Sequence, residues 1–243
     1  MNQILVTEKL YVTPELKRKR KLYKLIFFIS VLLVFLLSSY YIYAEYDRNK
    51  SEEVSQLILS EVKDNTVKEA STNDPIIIVL SEEEAEEEEE IEPIEENAIT
   101  EEITVGDNTY TIEASLRIPS IDLDYPVLSE TSDALLEISV NKFWPENLKP
   151  NEIGNYCIVG HNYRNGKMFG RLNELKNGDV VELEDLTGRT IQYEVYDKKV
   201  VEPTDTSCTS QLANGRPLTF RELTLITCTN YGTQRLVVKC REI

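Results

Sequence analysis

Three residues near the ends of apolar segments carry side chains suited to acyl transfer: a thiol, an imidazole and a guanidinium. The chain has four cysteines, Cys157, Cys208, Cys228 and Cys240, and a single histidine, His161. Any thiol–imidazole chemistry must therefore use His161. Cys228 ends the apolar run LTLITC, and Arg235 follows seven residues later. A thiolate is a strong nucleophile toward an amide carbonyl. Imidazole can protonate the departing amine and later take a proton from an incoming one. Arginine stays charged and can stabilise an oxyanion or orient the carbonyl. The intermediate of such a reaction is a thioester.

Each residue taken singly also has a plain structural reading. A cysteine at a strand end is often a small buried hydrophobe. A lone histidine is often only hydrogen-bonded, and an arginine opening a strand is often solvated. Cys157 and Cys240 fall within apolar runs and fit the packing role. Cys208 lies in a polar turn and is expected as an exposed free thiol. No cysteine pair has C-x-x-C spacing, so nothing points to a zinc ribbon, and nothing demands a disulfide.

The elements that must position the three are strands. The segment ELTLITC and the segment RLVVKCREI read as the last two, close enough in sequence to pair antiparallel and bring Cys228 and Arg235 to one rim. NYCIVGHN reads as a buried strand that delivers His161 at its end. NGDVVELEDLTGRTIQYEVYDKKVV reads as two strands turned at Thr187-Gly188. TIEASLRIPSIDLDYPVL alternates apolar and polar residues, with Pro119 and Pro126 as punctuation. SDALLEIS reads as a short helix capped by Ser132 or Asp133, and DTSCTSQLA as a helical turn. These elements predict a mostly β domain, an antiparallel barrel or sandwich of about 135 residues.

Thr224, Leu225, Ile226, Thr227 and Cys228 fill the pattern TLxTC, with Arg235 downstream and His161 upstream in VGHN. This combination resembles the sortase family, from about Leu116 to Ile243. The resemblance implies an eight-stranded β-barrel with short helices. It implies that Cys228 attacks a sorting-signal peptide, that His161 serves as acid and base, and that Arg235 stabilises the oxyanion. The implied substrate is a surface protein or pilin bearing a Leu-Pro-x-Thr-Gly-like signal. The implied acceptor is an amine of a cell-wall precursor or a pilin lysine, in a Gram-positive bacterium. The short Cys228–Arg235 gap, the 66 residues between His161 and Cys228, and the lack of an Asp-Pro-aromatic lid motif point to a class D-like or unassigned subclass. No cofactor is expected: Glu202 and Asp205 lie in loops and do not by themselves make a calcium site.

The same residues would serve a cysteine peptidase that only hydrolyses; the difference is whether an amine outcompetes water. A membrane-tethered adhesion domain is the non-enzymatic alternative. It gives no reason for LTLITC, His161 and Arg235 to occur together.

The remainder of the 243 residues is organised around a membrane. Residues 25–44 (LIFFISVLLVFLLSSYYIYA) hold no charge. A helix of that length spans roughly 30 Å, enough for a bilayer core. KRKRKLYK precedes it, so residues 1–24 are expected in the cytoplasm and the rest outside. The length favours a retained anchor over a cleaved signal, for which Ile42 at −3 fits poorly. Val54, Leu57, Ile58 and Val62 have helical spacing. The acidic block SEEEAEEEEEIEPIEEN contributes much of the net charge of −17. Such a run self-repels and buries little, so residues 45–109 are expected as a largely disordered spacer before a catalytic domain at 110–243. The acidity also argues against nucleic acid as a partner.

Overall fold

The computed structural model describes residues 14–72 and 100–243. The chain falls into two units, Met1–Asn49 and Lys50–Ile243. A helix, α1 (Pro14–Thr72), begins in the first. Its large apolar side chains there, among them Leu25, Phe27, Phe28, Leu32, Phe35 and Leu37, are exposed. By length and composition this helix can cross a membrane.

In the second unit, residues of α1 pack on the barrel. Ser55, Ile58, Leu59 and Val62 are buried there. Ile58 and Val62 join Ile103, Tyr110, Ile112 and Leu128 in one apolar cluster. The expected stripe is right for Val54, Ile58 and Val62, but Leu57 is exposed and Leu59 takes the buried place. At 3.6 residues per turn, Leu57 lies on the far side of the line through Val54, Ile58 and Val62.

The strands in chain order are β1 (Glu101–Val105), β2 (Asn108–Ile118), β3 (Leu123–Leu128), β4 (Val140–Trp144), β5 (Gly154–Val159), β6 (Val180–Asp185), β7 (Thr190–Val201), β8 (Leu212–Ala213), β9 (Arg216–Pro217), β10 (Arg221–Thr229) and β11 (Gln234–Glu242). A short helix, α2 (Asp133–Leu136), lies between β3 and β4, and the Ser132 hydroxyl caps it by accepting from Leu135 N.

Eight strands close a ring in the order β2-β3-β4-β5-β10-β11-β7-β6, with β6 pairing back onto β2 from Ala114↔Asp185 to Arg117↔Glu182. Closure leaves few unpaired edges. β1 pairs with the first half of β2, from Glu101↔Ile112 to Val105↔Asn108. β8 and β9 make a separate hairpin. The ring encloses Leu116, Ile118, Tyr156, Ile158, Phe169, Leu183, Leu223, Leu225 and Val238.

Two features differ from the expectation. The barrel is not purely antiparallel: β3 pairs parallel with β4, and β5 with β10. A parallel pair needs a long crossover, and here the chain supplies it by laying down β6 and β7 between β5 and β10. The sheet also begins at Glu101, inside the stretch 45–109 expected as a spacer, because Ile103 of β1 buries against Tyr110 and Ile112. The same stretch is helical to Thr72. Its acidic block lies outside the described residues.

Candidate active site

Side chains on neighbouring strand positions point to opposite faces. On β5, β10 and β11, Tyr156, Ile158, Leu223, Leu225, Leu236 and Val238 face the barrel core. Cys157, Ile226 and Val237 face the other way, where they cluster with Cys208 and pack against Val159 and Val201. Cys228 lies two residues beyond Ile226, and Arg235 lies two before Val237. Both therefore share that second face. His161 lies two residues beyond Val159, just past the end of β5.

The register sets their spacing. Cys228 stands directly opposite Arg235 in the β10–β11 ladder. The parallel β5–β10 ladder ends at Ile226↔Val159, and the residues on either side of His161, Gly160 and Asn162, bond to Thr227 and Cys228, which keeps the histidine beside the Cys228 end of β10. Adjacent strands lie about 4.8 Å apart. The order across the sheet is thus His161, Cys228, Arg235, with the thiol in the middle.

Hydrogen bonds lock the β5 and β10 ends together. Gly160 N donates to Ile226 O at 3.2 Å. The buried Thr227 hydroxyl donates to Gly160 O at 2.7 Å, and Asn162 Nδ2 donates to Cys228 O at 2.7 Å. Phe169 N donates to His161 O at 3.0 Å and closes the loop that follows the histidine. Gly160 is required by space: a Cβ there would lie 2.9 Å from both Phe169 Cδ2 and Val140 Cγ1.

His161 Nε2 lies 3.5 Å from Glu137 Oε1. The Tyr163 hydroxyl donates to Glu137 Oε2 at 2.7 Å, and its ring sits 5.2 Å from the imidazole at a tilt of 46°. On the other side, Arg235 Nη1 donates to Gly232 O and Gln234 O at 3.0 and 3.1 Å. These bonds steady the guanidinium over the β10–β11 turn. That turn holds three successive residues at positive φ, Asn230, Tyr231 and Gly232, and Tyr231 is almost fully exposed. Arg164, from the loop after His161, lies 5.9 Å from the Tyr231 ring.

All four cysteines are free, and only Cys228 is not buried. Burial pushes the thiols of Cys157 and Cys240 far up, and burial likewise raises Cys208. The expectation of an exposed Cys208 is thus corrected. A 3-10 turn, Ser207–Thr209, folds it under, against Cys157, Ile226 and Val237. A raised thiol pKa means little thiolate and low nucleophilicity.

The described residues contain no group of three or more His, Cys, Asp and Glu able to hold a metal ion. Glu202 instead accepts from Gln234 Nε2 at 3.0 Å, and Asp205 accepts from Ser207 N at 2.8 Å. A cavity of about 790 Å³ lined by Thr111, Glu113, Lys142 and Phe143 includes none of His161, Cys228 and Arg235. The sequence reading did not single out Asn162, Glu137 or Tyr163. Asn162 and Tyr163 adjoin His161 in the chain, but Glu137 carries no local signal, since it reaches the histidine only through the fold.

Comparison with known proteins gives a consistent result. The model of the Sortase domain family matches residues 116–243. No curated protein matches. Among solved structures, the sortase D5 transpeptidase of Clostridium perfringens is 30% identical over 54% of this chain and 79% of that one, with a TM-score of 0.48. Sortase A from Corynebacterium diphtheriae is 28% identical over 55% and 61%, with a TM-score of 0.47. Sortase A of Listeria monocytogenes is 26% identical over 54% and 87%, with a TM-score of 0.49.

Proposed function

The chain belongs to the sortase family, and on that premise we propose that this cysteine transpeptidase cleaves a Leu-Pro-x-Thr-Gly-like sorting signal through a thioester on Cys228. Cys228 Sγ adds to the threonine carbonyl of the signal. The carbon–nitrogen bond breaks, and the glycine amine leaves with a proton delivered by His161. An acceptor amine then adds to the thioester, gives a proton to His161 and expels the Cys228 thiolate. One amide is exchanged for another, and no oxidant or cofactor is consumed. Arg235 holds the oxyanion in both additions, where charge develops that the ground state lacks.

The observation that carries this reading is the register: Cys228, the one unburied thiol, stands opposite Arg235 on β11, and His161 follows just past the end of β5, the strand on the other side of β10. Acceptor classes consistent with it are the amine of a cell-wall precursor and a pilin lysine. The apolar stretch of α1 anchors the enzyme in the membrane, with the basic segment 17–24 inside and the barrel outside, following the positive-inside rule.

The test uses the full chain in detergent, a fluorogenic sorting-motif peptide and a panel of amines. Cleavage with a ligated product is expected, and both should vanish in Cys228→Ala. Undiminished cleavage by that variant would sink the assignment. Hydrolysis with no ligated product across the amine panel would make the enzyme a peptidase.

A further inference from the structure

Glu137 is an exposed carboxylate at the C-terminal end of a one-turn helix, and nothing in its own sequence neighbourhood marks it. Its placement is nevertheless specific. Ser132 caps α2, Leu136 N donates to Ser132 O at 2.9 Å, and the Glu137 N–H closes onto Asp133 O. This turn projects the Glu137 side chain toward the loop after β5. There its two oxygens are divided: Oε1 lies 3.5 Å from His161 Nε2, and Oε2 accepts the Tyr163 hydroxyl at 2.7 Å. Tyr163 in turn packs its ring 5.2 Å from the imidazole. Three residues from two elements thus form a closed triangle, with the imidazole at one corner.

The triangle has a chemical consequence. A neutral imidazole carries one proton on either nitrogen, and the partner of one nitrogen decides what the other can do. A carboxylate beside Nε2 favours the tautomer with hydrogen there. Glu137 from the end of α2 and Tyr163 from its own loop contact the ring, and the strand register brings Cys228 of β10 and, one strand beyond, Arg235 of β11 alongside. Of these, Glu137 is the carboxylate that lies beside Nε2.

We infer that Glu137 is a positioning residue that keeps the His161 proton on Nε2, leaving Nδ1 as the atom that exchanges protons with the Cys228 thiol and the substrate amines. The inference rests on the transpeptidase reading, because it specifies which atom performs the acid and base steps. In the first half-reaction Nδ1 takes the thiol proton and passes it to the departing amine. In the second it takes a proton from the acceptor amine and returns it to the thiolate. Nε2 keeps its hydrogen throughout and shares it with Glu137 while the ring is an imidazolium. The Tyr163 hydroxyl fixes the carboxylate by occupying its other oxygen.

Because His161 is the only histidine in the chain, selective ¹⁵N-histidine labelling of the full chain gives one pair of ring nitrogens. At about pH 9, where an ordinary imidazole is neutral, the wild type is expected to show Nε2 in the protonated range and Nδ1 in the unprotonated range. Glu137→Ala should pull the two shifts toward each other and lower kcat roughly tenfold, less than the roughly 10²–10⁴-fold contribution of an acid–base group itself, with the peptide KM unchanged. Glu137→Gln keeps an oxygen that can accept from Nε2, so it should restore the tautomer and recover part of kcat. Tyr163→Phe removes one hydroxyl and should give an intermediate nitrogen pattern.

A wild-type spectrum with the proton on Nδ1, or an unchanged pattern in Glu137→Ala and Tyr163→Phe, overturns the inference. The nitrogen shifts need no turnover, so the two failures are separable. A wild type with the expected tautomer but no ligated product keeps the Glu137 pairing and defeats the transpeptidase reading. A ligating wild type whose ring ignores Glu137 does the reverse.

Discussion

Cys228 and Arg235 are direct cross-strand partners in the β10–β11 ladder, and they share the face that also carries Ile226 and Val237. The relationship is enforced by backbone pairing. The guanidinium is further held by the carbonyls of Gly232 and Gln234 in the turn.

Arg235→Lys should therefore lose more in turnover than in binding. Lysine keeps the charge but not the planar guanidinium, which bonds both carbonyls through Nη1 and leaves Nε and Nη2 to donate elsewhere. A fall in kcat of about 10²-fold with little change in peptide KM is expected, the size found for losing one oxyanion donor. Steady-state kinetics of the full chain check this. A change confined to KM would assign Arg235 to substrate binding alone.

Thr227→Val tests the lock between β5 and β10. Valine keeps the shape but removes the hydroxyl that donates to Gly160 O. The buried carbonyl then loses a partner, which costs about 1–3 kcal/mol. Urea unfolding should register that loss. Activity should fall as well, because Gly160 immediately precedes His161. Unaltered stability would mean that the carbonyl finds another donor.

Ile58→Ala probes the helix that packs on the barrel. Ile58 is fully buried against Ile103, Tyr110, Ile112 and Leu128. Its truncation should cost about 2–5 kcal/mol, against small effects at exposed Leu57. Equal denaturation midpoints for the two alanine variants would show that the helix contributes little to barrel stability.

Asp185 sets an acid limit. Burial opposes ionisation, but bonds from Thr187, Asn151 and the Arg189 backbone outweigh it and hold the carboxyl below its usual range. A carboxylate depressed in the fold contributes stability above its unfolded value, near 4. That contribution is lost as pH falls through the lower folded value. Urea midpoints should drop below about pH 4, and Asp185→Asn should be weaker at neutral pH but flatter into acid. An equally steep acid fall in that variant would locate the effect elsewhere.

What the sequence disclosed was local. The strand ending at Cys228, the turn at Thr187-Gly188 and the Ser132 cap are each written in a few contiguous residues, and all three hold in the structure. The Asn214-Gly215 turn between β8 and β9 carries an equally local signal, with both residues at positive φ. The rest is set at long range. The parallel pairing of β5 with β10 follows from closing the ring, and alternation within either strand cannot foretell it. Cys208 sits among polar neighbours, and only the fold reveals that it is covered. Glu137 meets His161 across 24 positions of chain, by way of a helix end whose direction no periodicity encodes.

The parallel β5–β10 contact also orders events in time. β5 ends at Val159 and β10 starts at Arg221, so their pairing closes a loop that holds β6 to β9. Contacts of such sequence separation form late, since the entropy of the long loop is lost before the ladder compensates for it. The pairing that brings the imidazole beside the thiol is thus of the kind expected to form late.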